Sequence, residues 1–140
     1  MNVLPFKAEH FNAIDVQDAQ AYVRSYVSAE DLKALETPAS FTCVADDHVL
    51  ACFGWMPVYA HRATVWAYLS KHAGPHMTGL TRVGRRMMQG LAFRRLEMEV
   101  DCEFEQGHRW AKMLGFTMEV ERLCGFRVDG GDSAIYSRIQ

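Results

Sequence analysis

Residues 104–121, FEQGHRWAKMLGFTMEVE, read as a helix stopped by a glycine and followed by a strand that turns back along it. Gly115 fits the left-handed backbone position just past a helix C-terminus, where any Cβ costs energy. Phe116 can then fold back on Ala111 or Trp110, so the helix is expected to end at Leu114. The strand continues into TMEVERLCGFRV (117–128), DGGD (129–132) and SAIYSRI (133–139), two strands around a glycine turn, which is a hairpin pattern.

Working back from this stretch, LEMEVDCEF (96–104) alternates strictly. Leu96, Met98, Val100, Cys102 and Phe104 fall on one face, and Glu97, Glu99, Asp101 and Glu103 on the other. Before it, HMTGLTRVGRRMMQGL (76–91) repeats apolar residues at helical spacing: Met77, Leu80, Val83, Met87 and Leu91 make a stripe, with Arg82, Arg85 and Arg86 mostly away from it. SFTCVA (40–45) and VLACFGWMPVYA (49–60) are strand-like, separated by a turn at Asp46, Asp47 and His48. Pro57 inside the second run implies an edge, a bulge or a missing ladder bond. ATVWAYLS (63–70) is expected as a third antiparallel strand. NVLPF at the start is a short strand, and residues 18–35 are helical in pattern, ended by Pro38. Ser28 and Asp31 look like a start signal inside that region, so one helix and two are equally compatible with it.

The 140 residues carry 49% hydrophobic and 23% charged side chains and a formal net charge of -2. That is the size of one domain, and we expect a single domain over 1–140. The charge gives no global reason to bind nucleic acid or an anionic membrane. The basic group Arg82, Arg85, Arg86, Arg94 and Arg95 lacks a nucleic-acid motif and reads as a solvated face. With no signal-peptide run and no apolar segment of membrane-spanning length, the chain is expected to be soluble and not exported. Cys43, Cys52, Cys102 and Cys124 sit singly in apolar or alternating runs, and are expected as buried free thiols in a reducing compartment. His72 and His76 are four apart, but Gly74 and Pro75 between them oppose the helix that would align them, so no metal site is expected.

The element order is strand, helices, three antiparallel strands, helix, strand, helix, hairpin. With GHRWAKMLGF (107–116), it resembles the GNAT acyltransferase fold over nearly the whole chain. The resemblance implies an α+β fold, a central mixed and mostly antiparallel sheet flanked by helices, and acetyl-CoA as cofactor. In that family the pyrophosphate is held by backbone N–H groups of a loop beginning with Gln or Arg, with glycines two and four residues on, at a helix N-terminus. Here the loop is SKHAGPHMTGLTR (70–82). It lacks that spacing, and Pro75 removes a donor. The cofactor-binding candidates are Ser70, Lys71, Gly74, His76, Thr78, Gly79 and Arg82. The family's general-acid tyrosine stands four residues before the glycine of LGF, where this chain has Ala111. The candidates for a base are Glu97, Glu99 and Asp101, which on an alternating strand also fit an ordinary solvent-facing row.

A narrower resemblance covers residues 50–120. Small GNAT-like proteins of tailed phages and prophages, of the internal virion protein A type, similarly have a tryptophan strand ending in serine, as in Trp66 to Ser70. They also have an HRW-like helix motif, here His108, Arg109 and Trp110, followed by a lysine, here Lys112. This implies an accessory or virion-associated protein with a degenerate acetyl-CoA site. Phage or host proteins would be its partners, and it would reside in the host cytoplasm or a phage particle. The alternative is an active acetyl-CoA-dependent N-acyltransferase acting on an amine of a small molecule or protein. His108 and Trp110 read either as a recognition surface or as core.

Overall fold

Alternating segments become strands where their apolar face finds a cover, and the computed structural model, which describes all 140 residues, forms seven of them. In sheet order they run β1 (Asn2–Pro5), β2 (Ser40–Ala45), β3 (His48–Tyr59), β4 (Arg62–Leu69), β5 (Arg95–Asp101), β7 (Ser133–Ile139) and β6 (Thr117–Leu123). The β4–β5 pair is parallel, whereas β1–β2, β2–β3, β5–β7 and β6–β7 are antiparallel. The expected α+β class with a mixed, mostly antiparallel sheet is what the chain adopts, although β4 runs parallel to its β5 neighbour. No helix is long and apolar enough to cross a membrane.

Two compact units are assembled from interleaved stretches, Met1–Trp55 with Trp66–Leu80, and Met56–Val65 with Thr81–Gln140. In the first unit, β1 (Asn2–Pro5) pairs with β2 (Ser40–Ala45), and β2 pairs with the first part of β3 (His48–Tyr59). Asp46 and Asp47 have φ of 51° and 62°, the left-handed conformation that a two-residue hairpin turn demands and that aspartate tolerates better than most residues. His48 is therefore the first residue of β3. The helical region from Asp18 is a 3₁₀ helix, Asp18–Ser25, followed by a separate α2 helix, Ala29–Ala34. The second start signal works as a capping box: Ser28 Oγ accepts from the Asp31 N–H at 3.1 Å, and Asp31 accepts from the Ser28 N–H at 2.9 Å. An additional helix, α1 (Ala8–Ala13), was not anticipated, because six residues burying only Phe11 carry little periodic signal. The core of this unit gathers Phe6, Phe11, Ile14, Val16, Val23, Leu32 and Cys52. Trp66 and Tyr68 of β4 (Arg62–Leu69) pack edge-on against Phe6 and Phe11, with centroids at 5.5 and 5.0 Å.

In the second unit, β5 (Arg95–Asp101) pairs with β7 (Ser133–Ile139) along its whole length, and β7 with β6 (Thr117–Leu123). Leu96, Met98 and Val100 are buried as alternation requires, together with Ala134 and Tyr136. Helix α3 (Met77–Gln89) buries Leu80, Thr81 and Met88, while Met77, Val83 and Met87 are half-buried and Leu91 lies beyond its end. Helix α4 (Glu105–Met113) approaches β5 so closely that a Cβ on Gly107 would lie 2.6 Å from the Phe104 ring and 3.0 Å from Val100. It ends as expected: Gly115 has φ 91°, its N–H donates to Lys112 O, and the Phe116 N–H donates to Ala111 O, both at 3.0 Å. All four cysteines are free thiols, but only Cys43 and Cys52 are buried as expected. Cys102 is half-buried and Cys124 exposed, because the β6–β7 loop that carries Cys124 has no cover.

Candidate functional site

The end of β4 and the residues after it decide what the first unit can bind. The Ser70 N–H donates to Leu50 O of β3 at 2.9 Å. Strand residues alternate in bonding direction, so the main-chain groups of Ala67 and Leu69 point away from β3. The ladder to β5 covers only Arg62–Arg95, Ala63–Leu96 and Thr64–Glu97. Beyond it the edge is met by side chains. Gln20 Nε2 donates to Ala67 O at 2.9 Å, and Gln20 Oε1 accepts from the Leu69 N–H at 2.8 Å. The Gln17 N–H donates to Leu69 O at 3.0 Å, and Val16 forms an antiparallel bridge with Ser70. Neither glutamine was marked by the sequence pattern.

Past Ser70, residues Lys71–His76 coil into a 3₁₀ helix that leads into α3. Four donors here are engaged within the chain. The Lys71 N–H goes to Asp15 O at 2.9 Å, the His72 N–H to Ser70 Oγ at 3.0 Å, the Ala73 N–H to Ser70 O at 3.1 Å, and the Met77 N–H to Gly74 O. Pro75 has no N–H to offer. Side chains follow the same rule. Lys71 pairs with Asp18 at 3.1 Å, and that hydrogen bond raises its pKa. His76 lies 3.1 Å from Asp46, and His72 lies 3.5 Å from Asp15 while stacking on His48 at 3.9 Å between centroids. Gly74 and Thr78 are exposed, Ser70 is fully buried, and Gly79 faces the Met1 side chain, 3.0 Å from where a Cβ would stand. Arg82 is exposed and belongs to the second unit. Of the seven cofactor candidates, Ser70, Lys71 and His76 are thus held by other partners. His48, Lys71, His72 and His76 line a pocket of about 470 Å³. A pyrophosphate needs several converging N–H groups. The residues present do not fit one.

The candidate bases lie in the second unit and are also engaged. Glu97 Oε1 accepts from Arg95 Nε at 3.1 Å and lies 2.9 Å from Arg62 Nε, which it meets without hydrogen-bond geometry. Asp101 is paired with Arg127 and accepts from the Glu103 N–H at 3.1 Å. Glu99, exposed, accepts from Ser133 Oγ at 3.0 Å. Ala111 is buried in the core. His108 turns inward, its ring nitrogens 2.7 Å from Tyr136 Oη and 2.9 Å from Cys102 O, and Trp110 Nε1 donates to Thr81 Oγ1 at 3.0 Å. Both residues are half-buried and satisfy hydrogen bonds within the fold. Cys102, Glu105, His108, Lys112 and Tyr136 border a pocket of about 270 Å³.

No protein-family model matches the sequence, and no curated protein matches it. Solved structures do. Ard1 from Thermoplasma volcanium superposes with a TM-score of 0.78 at 14% identity, over 99% of this chain and 96% of that one. The chain has the GNAT fold. An acetyltransferase of the GNAT family from Bacillus anthracis matches with a TM-score of 0.68 at 11% identity, over 98% of this chain and 93% of that one. Aminoglycoside 6'-acetyltransferase type Ii gives 0.68 at 14% identity, over 99% and 97%.

Proposed function

We propose that this chain is a GNAT-fold protein that retains the scaffold and has a degenerate acetyl-CoA site, serving as a phage- or prophage-type accessory or virion-associated protein. The observation that carries the reading is that the N–H groups of Lys71, His72, Ala73 and Met77 are bonded within the chain, which takes those donors away from a pyrophosphate. Ala111 in place of a proton-donating tyrosine, and the engagement of Glu97 and Asp101 by guanidinium groups, support it. Phage or host proteins are the partners of this reading, met in the host cytoplasm or in a particle. The test is calorimetric titration with acetyl-CoA and CoA at low salt, beside a search for co-purifying proteins. The expected result is no heat up to millimolar ligand, with a stable protein partner. Micromolar binding, lost when Thr78 and Gly79 are replaced by bulky acidic residues, would overturn it.

A second reading is favoured by Glu99, which is exposed and whose partner Ser133 is neutral. Structural neighbours named as acetyltransferases, an aminoglycoside 6'-acetyltransferase among them, point the same way. In this reading the chain is an N-acyltransferase acting on an amine of a small molecule or protein, and Glu99 takes the amine proton. Acyl transfer that disappears in Glu99→Gln while the fold persists would establish it.

A further inference from the structure

Helix α4 carries Glu105, His108 and Lys112 at spacings of three and four residues, which sets them in one row along its side. Strand β6 runs back past that row. Its Met118 is the register partner of Tyr136, whose hydroxyl lies 2.7 Å from His108. Farther along β6, Glu121 O accepts from Cys102 Sγ at 3.5 Å, and Arg122 reaches Glu103 at 3.3 Å. Cys102 and Glu103 stand just before the first turn of α4. Glu121 is therefore at the Glu105 end of the row, Met118 at its middle and Lys112 at the other end. These side chains border the pocket of about 270 Å³, with the buried Tyr136 at its inner side.

The polar groups of this pocket are taken except at its two ends. Asp132 and Glu103 hold Arg122, and both ring nitrogens of His108 have partners. The side chains of Glu105, Glu121 and Lys112 make no ion pair or hydrogen bond within the chain. Glu105 and Lys112 stand seven residues or about 10 Å apart along the helix axis, too far to neutralise each other. Two carboxylates thus border one end and one ammonium the other, with the exposed thioether of Met118 between them. We propose that this pocket binds a linear zwitterion, an ω-amino carboxylate. Its ammonium meets Glu105 and Glu121, its carboxylate meets Lys112, and its methylenes cover Met118. The reverse orientation sets carboxylate against carboxylate, so the ligand has one direction. A simple acid or a simple amine satisfies one end only. None of the bordering residues is a cofactor or base candidate, and all belong to the second unit, so binding here does not depend on acetyl-CoA. Both end contacts are exposed ion pairs, which places the affinity in the millimolar range.

The experiment titrates ε-aminocaproate, caproate, hexylamine and hexamethylenediamine into the isotopically labelled full chain at low salt, followed by amide and methionine-methyl NMR shifts. ε-Aminocaproate is expected to move the signals of Lys112, Met118 and Glu121 and to saturate in the millimolar range. It should bind about fivefold more tightly than caproate or hexylamine, the effect of one exposed ion pair. Lys112→Glu makes both ends acidic. It is expected to weaken ε-aminocaproate by about tenfold, through a lost attraction and an added repulsion, and to make hexamethylenediamine the preferred ligand of the four. Lys112 is exposed on α4, and Lys112→Ala serves as a second variant, in which the preference for ε-aminocaproate over hexylamine is expected to vanish. Equal responses to the acid, the amine and the zwitterion overturn the proposal. So does the absence of saturable shifts at tens of millimolar ligand, or an unchanged order of preference in the folded Lys112→Glu chain.

Discussion

The phenolic oxygen of Tyr136 lies 2.7 Å from Nδ1 of His108, and Nε2 of the same ring lies 2.9 Å from the carbonyl oxygen of Cys102. A carbonyl oxygen only accepts, so Nε2 carries a proton, and Nδ1 is the partner of the phenol. Tyr136 is fully buried, which pushes its hydroxyl ionisation up. His108→Ala is expected to destabilise the protein by about 1–3 kcal/mol, the cost of stranding a buried hydroxyl. Adding Tyr136→Phe should cost less than the two single changes combined, because one bond is removed twice. Denaturant unfolding of the four proteins checks this, and strictly additive losses would show that the two side chains are not coupled.

Acid should weaken the second unit through Glu119. The Arg95 guanidinium, with help from Ser137, holds its carboxyl down to about 2, against an ordinary value of 4.5. Because the folded value is the lower one, the interaction contributes fully above about 4.5 and is lost as the pH falls from there towards 2. Glu119→Gln is therefore expected to lower stability above about 4.5 and to flatten the decline across that window, so that the two proteins converge towards pH 2. Unfolding midpoints measured between pH 2 and 6 are the check, and parallel profiles for the two proteins would contradict it. Asp129, held down to about 2 by Arg127, leaves a residual slope in both.

The four thiols should differ in reactivity. Burial pushes the Cys43 thiol up to about 11 and the Cys52 thiol up to about 12, and both lie at zero exposure. A thiolate-directed reagent at neutral pH is expected to modify Cys124 first and half-buried Cys102 more slowly, with Cys43 and Cys52 reacting only once the chain unfolds. Peptide mass spectrometry of native and denatured samples reads this order directly. Modification of Cys52 under native conditions, as fast as that of Cys124, would be incompatible with the packing described.

Much of the architecture was legible along the chain, since it depends on neighbours in sequence. Strict alternation in Leu96–Val100 marks a strand because successive side chains must point to opposite faces. Gly115 marks the end of α4 because few other residues tolerate φ of 91°. Ser28 and Asp31 mark the start of α2 because their side chains complete each other's backbone bonds. The departures in the turn after β4, Pro75 and the missing glycines, were equally visible, as was Ala111. Packing alone settled the partners. Gln20 reaches Ala67 and Leu69 across 47 and 49 residues, and His108 reaches Tyr136 across 28. A polar side chain has no period that announces its distant acceptor, so Gln20 read as one more polar residue in a helical run. Likewise the carboxylates of Glu97 and Asp101 were visible as an acidic face, but only the folded chain brings Arg95 and Arg127 to them. Periodicity and local capping act over a few residues, and so they specify elements; hydrogen bonds and ion pairs between elements exist only after the sheet has formed, and in this protein they determine what its site has left to bind with.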